Sequence, residues 1–112
     1  METTYFEKAR ELYELKELER LGLTPELPQR DQILTYMALV LKWNLAAGLV
    51  SPNDENKLFI RHFCDSLQPL LLFGFKKRGK ILDIGSGGGF PSVPIYIFRP
   101  DLTIWLVESN RK

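Results

Sequence analysis

The most constraining feature of this 112-residue sequence is a run of glycines between two short apolar segments. Segment 80–84 (KILDI) predicts a strand, and the glycines of 85–89 cannot continue it because they favour tight turns over pleated pairing. Residues 91–98 have the spacing of a helix that begins at a proline, and segment 103–107 (TIWLV) predicts a second strand. Because the connection runs through a helix, we expect parallel strands whose carboxyl ends meet at one edge.

This edge has the features of a nucleotide-cofactor half-site. Gly85, Gly87 and Gly89 let backbone amides approach a ligand that a Cβ atom would hold away. Glu108 ends the second strand nineteen residues after Gly89, where a carboxylate can accept hydrogen bonds from both ribose hydroxyls. The alternative is a tight turn followed by a solvated acid. The agreement of loop, helix and distal acid favours the cofactor site.

The order of residues in the loop bears on which cofactor it holds. A dinucleotide G-x-G-x-x-G motif that starts at Gly85 fails, because Phe90 stands where the third glycine belongs. One that starts at Gly87 leaves Ser92 as a small-residue variant, so a nicotinamide or flavin site stays open. Asp83 favours a different cofactor, because D-x-G-x-G-x-G resembles motif I of class I methyltransferases. In that motif the acid steadies the loop around the amino-acid end of S-adenosylmethionine.

The segment before the strands predicts three helices. Thr4 and Glu7 have the spacing of a capping box, and the helix they begin should run until Gly22. A second amphipathic helix should follow the turn that contains Pro28 and continue through Asn44. A third should begin near residue 54, and Pro69 should bend or restart it. Cys64, the single cysteine, is predicted to lie in the core.

Two polar stretches admit more than one interpretation. Arg61 with Asp65, and His62 with Ser66, are four residues apart on the third helix and form either an intrahelical polar ridge or part of a ligand pocket. Residues 74–79 (GFKKRG) predict a turn rich in cations. These cations are either simply solvated or in contact with an RNA backbone.

Four segments together carry a resemblance to a known family: Lys42-Trp43-Asn44, residues 61–67 (RHFCDSL), residues 81–94 (ILDIGSGGGFPSVP) and Arg99-Pro100. In this order they resemble the glucose-inhibited division protein B family, bacterial 16S ribosomal RNA guanine-N7 methyltransferases. The sequence departs from the family pattern after Asn44, where Leu45–Val50 replaces a more polar element.

The resemblance implies an α/β, Rossmann-like class I S-adenosylmethionine-dependent methyltransferase. Residues 1–75 would be an amino-terminal helical cap and 76–112 the first β-α-β half of the cofactor-binding core. The partner would be 16S rRNA or the small ribosomal subunit, with neither a metal nor a membrane. No catalytic residue is predicted, because guanine N7 has a free lone pair and needs no base. The predicted cofactor-binding residues are Asp83, Gly85, Gly87, Gly89, Phe90 and Glu108.

Composition and strand number set limits on these predictions. A net charge of +1 gives no global field toward nucleic acid or membranes, and a lone cysteine favours a reducing cytoplasm. Two parallel strands are too few for a sheet that is normally buried on both faces, so the sheet should be continued beyond Lys112 or by another chain. We favour the first of these, a chain truncated after its second strand. A non-catalytic fragment, or a fragment of a dinucleotide-dependent oxidoreductase, remains an alternative function.

Overall fold

The structure is a computed structural model that describes residues 3–47, 52–73, 75–84 and 92–107. Helices α1 (Thr3–Leu12), α2 (Leu15–Arg20) and α3 (Leu27–Ala47) come first. A 3₁₀ helix (Pro52–Lys57), a π-helix (Leu58–Phe63), a 3₁₀ turn (Asp65–Leu67) and α4 (Gln68–Phe73) follow. Strand β1 (Lys80–Ile84), helix α5 (Ser92–Phe98) and strand β2 (Thr103–Val107) complete the described chain.

The two strands are confirmed within their predicted bounds and pair in parallel. Lys80 lies opposite Thr103, and Ile84 lies opposite Val107. Helix α5 connects them, as the sequence predicts, and begins at Ser92 in the described part of the chain. The sheet and its crossover helix therefore follow from local sequence signals alone.

The first predicted helix is wrong in its extent, because it breaks into α1 and α2. Glu14 adopts an extended conformation between them, and Thr4 lies inside α1 instead of capping it. The break allows Tyr13 to pack on Phe59, with ring centroids 5.1 Å apart, while Arg30 lies 5.8 Å over the Tyr13 ring. A tertiary contact has overridden a continuous helical pattern.

Helix α3 starts one residue before Pro28, so this proline lies in its first turn instead of ending the preceding turn. The Gln29 side chain accepts a hydrogen bond from the Glu26 amide (2.8 Å), as the acceptor in a capping box does. Its amide group also donates to the Ile97 carbonyl of α5 (3.3 Å). One side chain thus caps α3 and joins it to the helix between the strands.

The third predicted helix is wrong in type, since residues 52–67 form 3₁₀ and π turns. The Cys64 amide donates to the Phe59 carbonyl five residues earlier (2.9 Å). Two pairs five residues apart, Leu58 with Phe63 and Phe59 with Cys64, are accordingly all buried. Helix α4 starts just before Pro69, which confirms that this proline restarts the helix.

The hydrophobic core is built by helices from both ends of the described chain. Helix α1 packs on α3, α3 packs on α5, and α5 also packs on the 65–67 turn. Phe59 and Phe63 stack with ring centroids 5.6 Å apart, and both are essentially inaccessible to solvent. Ile97 of α5 belongs to the same buried cluster. The crossover helix is thereby fixed against the amino-terminal helices.

Candidate functional site

The carboxyl ends of both strands lie side by side. Ile84 and Val107, the last residues of β1 and β2, are register partners. The carboxyl ends of the two strands therefore lie at one edge of the sheet, as predicted. The predicted cofactor-binding residues that follow these ends in the chain lie outside the described residues: Gly85, Gly87, Gly89, Phe90 and Glu108.

Asp83 is the one predicted cofactor-binding residue that the structure describes, and its side chain spans the glycine loop. Its Oδ2 accepts a hydrogen bond from the hydroxyl of Ser92, the first residue of α5. Ser92 is buried and Asp83 is partly buried, so water competes little for this bond. The bond ties the end of β1 to the start of α5, which fixes both ends of the loop between them.

The polar residues of the 61–66 stretch lie on two elements: Arg61 and His62 on the π-helix, and Asp65 and Ser66 on the 3₁₀ turn. The Arg61 guanidinium lies 3.9 Å from a carboxylate oxygen of Asp54, and His62 Nε2 lies 3.7 Å from the other. The predicted pairing of Arg61 with Asp65 is therefore replaced by one with Asp54, because the π turn changes which residues share a face. The Ser66 hydroxyl donates to the His62 carbonyl at 2.5 Å, so its contact is with the backbone of that residue.

A partly buried carboxylate connects three helices near this stretch. Glu55 accepts a hydrogen bond from the Asn44 amide (2.7 Å) and lies 3.4 Å from the Lys8 ammonium. Asn44 is 3% exposed, whereas its neighbour Trp43 is 53% exposed, with Lys42 5.3 Å from its ring centroid. The two residues of the Trp-Asn pair thus face opposite environments, and only Asn44 has a structural role inside the protein.

Cys64 is confirmed as a core residue. Its thiol is free and buried, and burial together with nearby carboxylates raises its pKa to about 12. A thiolate is the nucleophilic form of cysteine, so this residue is unreactive at neutral pH. It contributes packing to the site's surroundings and no chemistry.

An ion pair fastens the start of β1 to the loop that precedes β2. Arg99 and Asp101 form two parallel contacts of 2.9 Å, and Asp101 also accepts the Arg78 amide at 2.9 Å. The Arg99 guanidinium and this amide hold the pKa of Asp101 well below its usual range. Arg99 further donates to the Phe75 and Lys76 carbonyls (3.1 and 3.4 Å). The Arg-Pro signature thus has a structural explanation.

Comparison with known proteins decides the family. The family model described as GidB, rRNA small subunit methyltransferase G, matches residues 29–112, three quarters of the chain and all of the β-α-β unit. The chain belongs to the rRNA small subunit methyltransferase G family. This confirms the resemblance that Trp43-Asn44, the 61–67 stretch and the glycine loop indicate.

Curated relatives carry the same name. A ribosomal RNA small subunit methyltransferase G of Staphylococcus haemolyticus is 36% identical over 97 residues, which are 87% of this chain and 40% of the relative. One from Streptococcus thermophilus is 38% identical over 96 residues, 85% of this chain and 40% of the relative. The chain therefore spans about 40% of the length of these methyltransferase G proteins.

A groove in this family member lies beside the predicted site. It measures about 440 Å³, runs between α5 and β2, and shares Ser92 with the Asp83 contact. The described residues that line it carry no charge: Ser92, Val93, Tyr96, Leu102, Thr103, Ile104 and Leu106.

The described residues also bear on two other features, a metal site and a membrane span. Among them, no group of three or more His, Cys, Asp and Glu side chains is placed to hold a metal ion. No helix within the described ranges is long and apolar enough to cross a lipid bilayer.

Two residues near the site escaped prediction from the sequence. From the sequence, Ser92 is only a small residue at the third glycine position of a dinucleotide motif. Its hydroxyl, just after Pro91, could have suggested a hydrogen-bond donor to Asp83 across the loop. Glu55 gave no local signal, since its partners Asn44 and Lys8 come from distant parts of the chain.

Proposed function

We propose that this chain carries the S-adenosylmethionine-binding half of an enzyme that methylates guanine N7 in 16S rRNA. One observation carries the proposal: the Asp83–Ser92 hydrogen bond spans a D-x-G-x-G-x-G loop at the carboxyl edge of a parallel sheet. Curated relatives are named as rRNA small subunit methyltransferases, which supports this class of reaction. Their name does not support the dinucleotide alternative.

In our proposal the half-site holds a cofactor that carries both a ribose and an amino-acid group. Asp83 is an acid held in place by Ser92, so it can steady the loop without being displaced by water. In our proposal the amides of Gly85, Gly87 and Gly89, with Phe90, contact the cofactor, and Glu108 accepts hydrogen bonds from the ribose. We further propose that the β-α-β unit at 76–112 is the first half of a Rossmann-like core and that 1–75 is a cap upon it.

The chemistry requires positioning more than proton transfer. S-adenosylmethionine supplies a sulfonium methyl group, and guanine N7 has a lone pair that can attack it directly. We therefore propose no catalytic acid or base. The residues of this chain would hold the reacting groups in line and exclude water. Arg61, His62 and Asp65 would shape the side of the pocket nearest the cap, in a cytoplasmic protein that meets the small ribosomal subunit.

Calorimetric titration with S-adenosylhomocysteine tests the cofactor assignment. Glu108→Ala should weaken binding by about 1 to 3 kcal/mol, because charge-assisted hydrogen bonds to the ribose are lost. Glu11→Ala removes an exposed carboxylate from α1 and is the matched control, which should bind as the parent does. Equal affinity in the Glu108 variant would exclude the ribose role, and preferential binding of a nicotinamide cofactor would contradict the proposal.

Transfer of a tritiated methyl group to small-subunit RNA tests the reaction itself. We expect binding of S-adenosylhomocysteine by the 112-residue chain whether or not it turns over. Binding without transfer would favour the non-catalytic alternative, which is consistent with a chain that spans 40% of its relatives.

A further inference from the structure

Four of the five residues in segment 76–80 are cationic, although the whole chain has a net charge of only +1. Lys76, Lys77, Arg78 and Lys80 are all exposed. Within the described ranges, no ion pair involves any of these four side chains. Asp101, which accepts the Arg78 amide, is paired with Arg99. Segment 76–80, here called the basic turn, therefore presents a local positive field that no ion pair among the described residues compensates.

The backbone of the basic turn is held rigidly. The Gly79 amide donates to the Lys76 carbonyl at 2.9 Å and closes the turn. Arg99 donates to the carbonyl of Lys76, and the Arg78 amide donates to Asp101. A turn held from outside by two side chains loses little conformational entropy when its cations bind a ligand.

The residue choice inside the turn points to a role for charge. Arg78 has a φ of 55°, a conformation that favours glycine or asparagine. Gly79 follows, and a Cβ atom there would lie 2.8 Å from the Lys76 carbonyl oxygen. Glycine thus stands where sterics require it, whereas a guanidinium occupies the left-handed position despite the conformational cost. Strained backbone that carries a charged, solvent-facing side chain is typical of functional positions.

We propose that the basic turn contacts the phosphate backbone of the RNA substrate. This inference rests on the proposed function for the identity of the nucleic acid. The turn lies at the amino end of β1, about 15 Å along the strand from its carboxyl end. A structured RNA whose target base reaches the carboxyl edge can therefore place a separate stretch of phosphates on the turn. Contacts of this kind orient the RNA and add affinity without reading its sequence.

Fluorescence anisotropy with a 20-base-pair RNA duplex of arbitrary sequence tests the contact, at several KCl concentrations. Lys76→Gln/Lys77→Gln should weaken binding at low salt by about tenfold and lower the salt slope by about 2, one for each lost phosphate contact. Lys16→Gln/Lys57→Gln removes two exposed cations elsewhere, which form no ion pair with another described residue, and changes the net charge equally. This control should bind within about twofold of the parent.

A third variant separates charge from fold. Arg78→Asn removes the charge and suits a positive φ, so we expect unchanged or higher thermal stability and a salt slope lower by about 1. Equal RNA binding by the parent and the Lys76/Lys77 variant, or no salt-dependent binding by the parent, would overturn the inference. Tighter binding of the parent to anionic lipid vesicles than to RNA, dependent on the same cations, would also overturn it.

The cofactor titration keeps this inference distinct from the proposed function. All three variants should bind S-adenosylhomocysteine as the parent does, because the turn is at the opposite edge of the sheet. RNA binding that ignores the basic turn, with cofactor affinity intact, would remove the inference and leave the proposed function standing. If RNA binding depends on the basic turn but the chain has no affinity for the cofactor, the proposed function is removed and the phosphate contact stands.

Discussion

The helical region and the two-stranded sheet bury their apolar side chains to very different degrees. In the helices, Phe59, Phe63 and Leu67 are inaccessible or nearly so. In the sheet, Leu82 and its register partner Trp105 are 61% and 62% exposed. Alternation along a strand places both on one face with Ile84 and Val107, which are also exposed. The sheet thus has one face on α5 and the other open in the described structure.

This difference shows where the chain derives its stability. The helices enclose their own core, whereas the sheet depends on a few attachments that cross to it from neighbouring segments. These are the Asp83–Ser92 hydrogen bond, the Arg99–Asp101 pair and the bond from the Thr103 amide to the Gly79 carbonyl. Substitutions in the two regions should therefore differ by several-fold in their effect on the free energy of unfolding.

Phe63→Ala should have the largest effect. It removes a fully buried ring that stacks on Phe59, and the resulting cavity should lower the free energy of unfolding by about 3 to 5 kcal/mol. Trp105→Ala truncates an aromatic of the open face and should cost only about 1 kcal/mol. Urea unfolding followed by circular dichroism measures both.

If Phe63→Ala does not fold, the milder Phe63→Leu takes its place. This substitution should lower the free energy of unfolding by about 1 kcal/mol. Equal losses for Phe63→Ala and Trp105→Ala would contradict the comparison, since they would mean that the sheet face is buried as deeply as the helical core.

Ser92→Ala tests the attachment between the regions and should have an intermediate effect. It leaves a partly buried Asp83 carboxylate without its hydroxyl donor, which should cost about 1 to 3 kcal/mol. Thr35→Ala, an exposed hydroxyl on α3, is the control and should change stability by no more than about 0.5 kcal/mol. A urea midpoint for Ser92→Ala equal to that of the parent would show that this bond does not hold the sheet.

Asp101→Asn should have the smallest effect, and it should depend on pH. The folded pKa of Asp101 is lower than its ordinary value of 3.8, so its ionised form stabilises the folded state above that pH. This contribution is lost as the pH falls below about 4 toward the folded pKa. The gap in urea midpoint between parent and variant should therefore be present at pH 6 and shrink by pH 3.

The matched control for Asp101→Asn is Asp31→Asn, which removes another exposed carboxylate on the surface of α3. A gap for Asp101→Asn that stays constant between pH 6 and pH 3 would show that its charge does not fasten the turn.

The strands could be predicted from sequence because their signals are local. Gly79 and the glycine loop bound β1 on both sides, and both strands have their predicted bounds. The break after Leu12 could not be predicted, because it depends on Tyr13 packing against Phe59, which is far along the chain. The π-helix likewise depends on burial of residues five apart, a spacing that helical patterns of three and four do not anticipate.

The parts of the site that depend on local motifs could be predicted from the sequence, and the parts that depend on tertiary packing could not. Asp83 and the parallel edge follow from the spacing of the loop, whereas the contact of Ser92 with Asp83 requires α5 to be placed by its packing on α3. The pairing of Arg61 with Asp54 instead of Asp65 requires the π turn. Arg61 therefore contacts a residue that precedes it in the chain and not the one four positions after it.

The parallel register also has a consequence for synthesis of the chain on the ribosome. The partner of Lys80 is Thr103, so β1 is made 23 residues before its partner strand. At typical elongation rates this interval is about 1 to 5 s. During that time Leu82 and Ile84 have no strand to pair with, whereas all residues of α1 to α4 have already been made. The nascent β1 strand is therefore a segment on which a chaperone could act before its partner strand has been made.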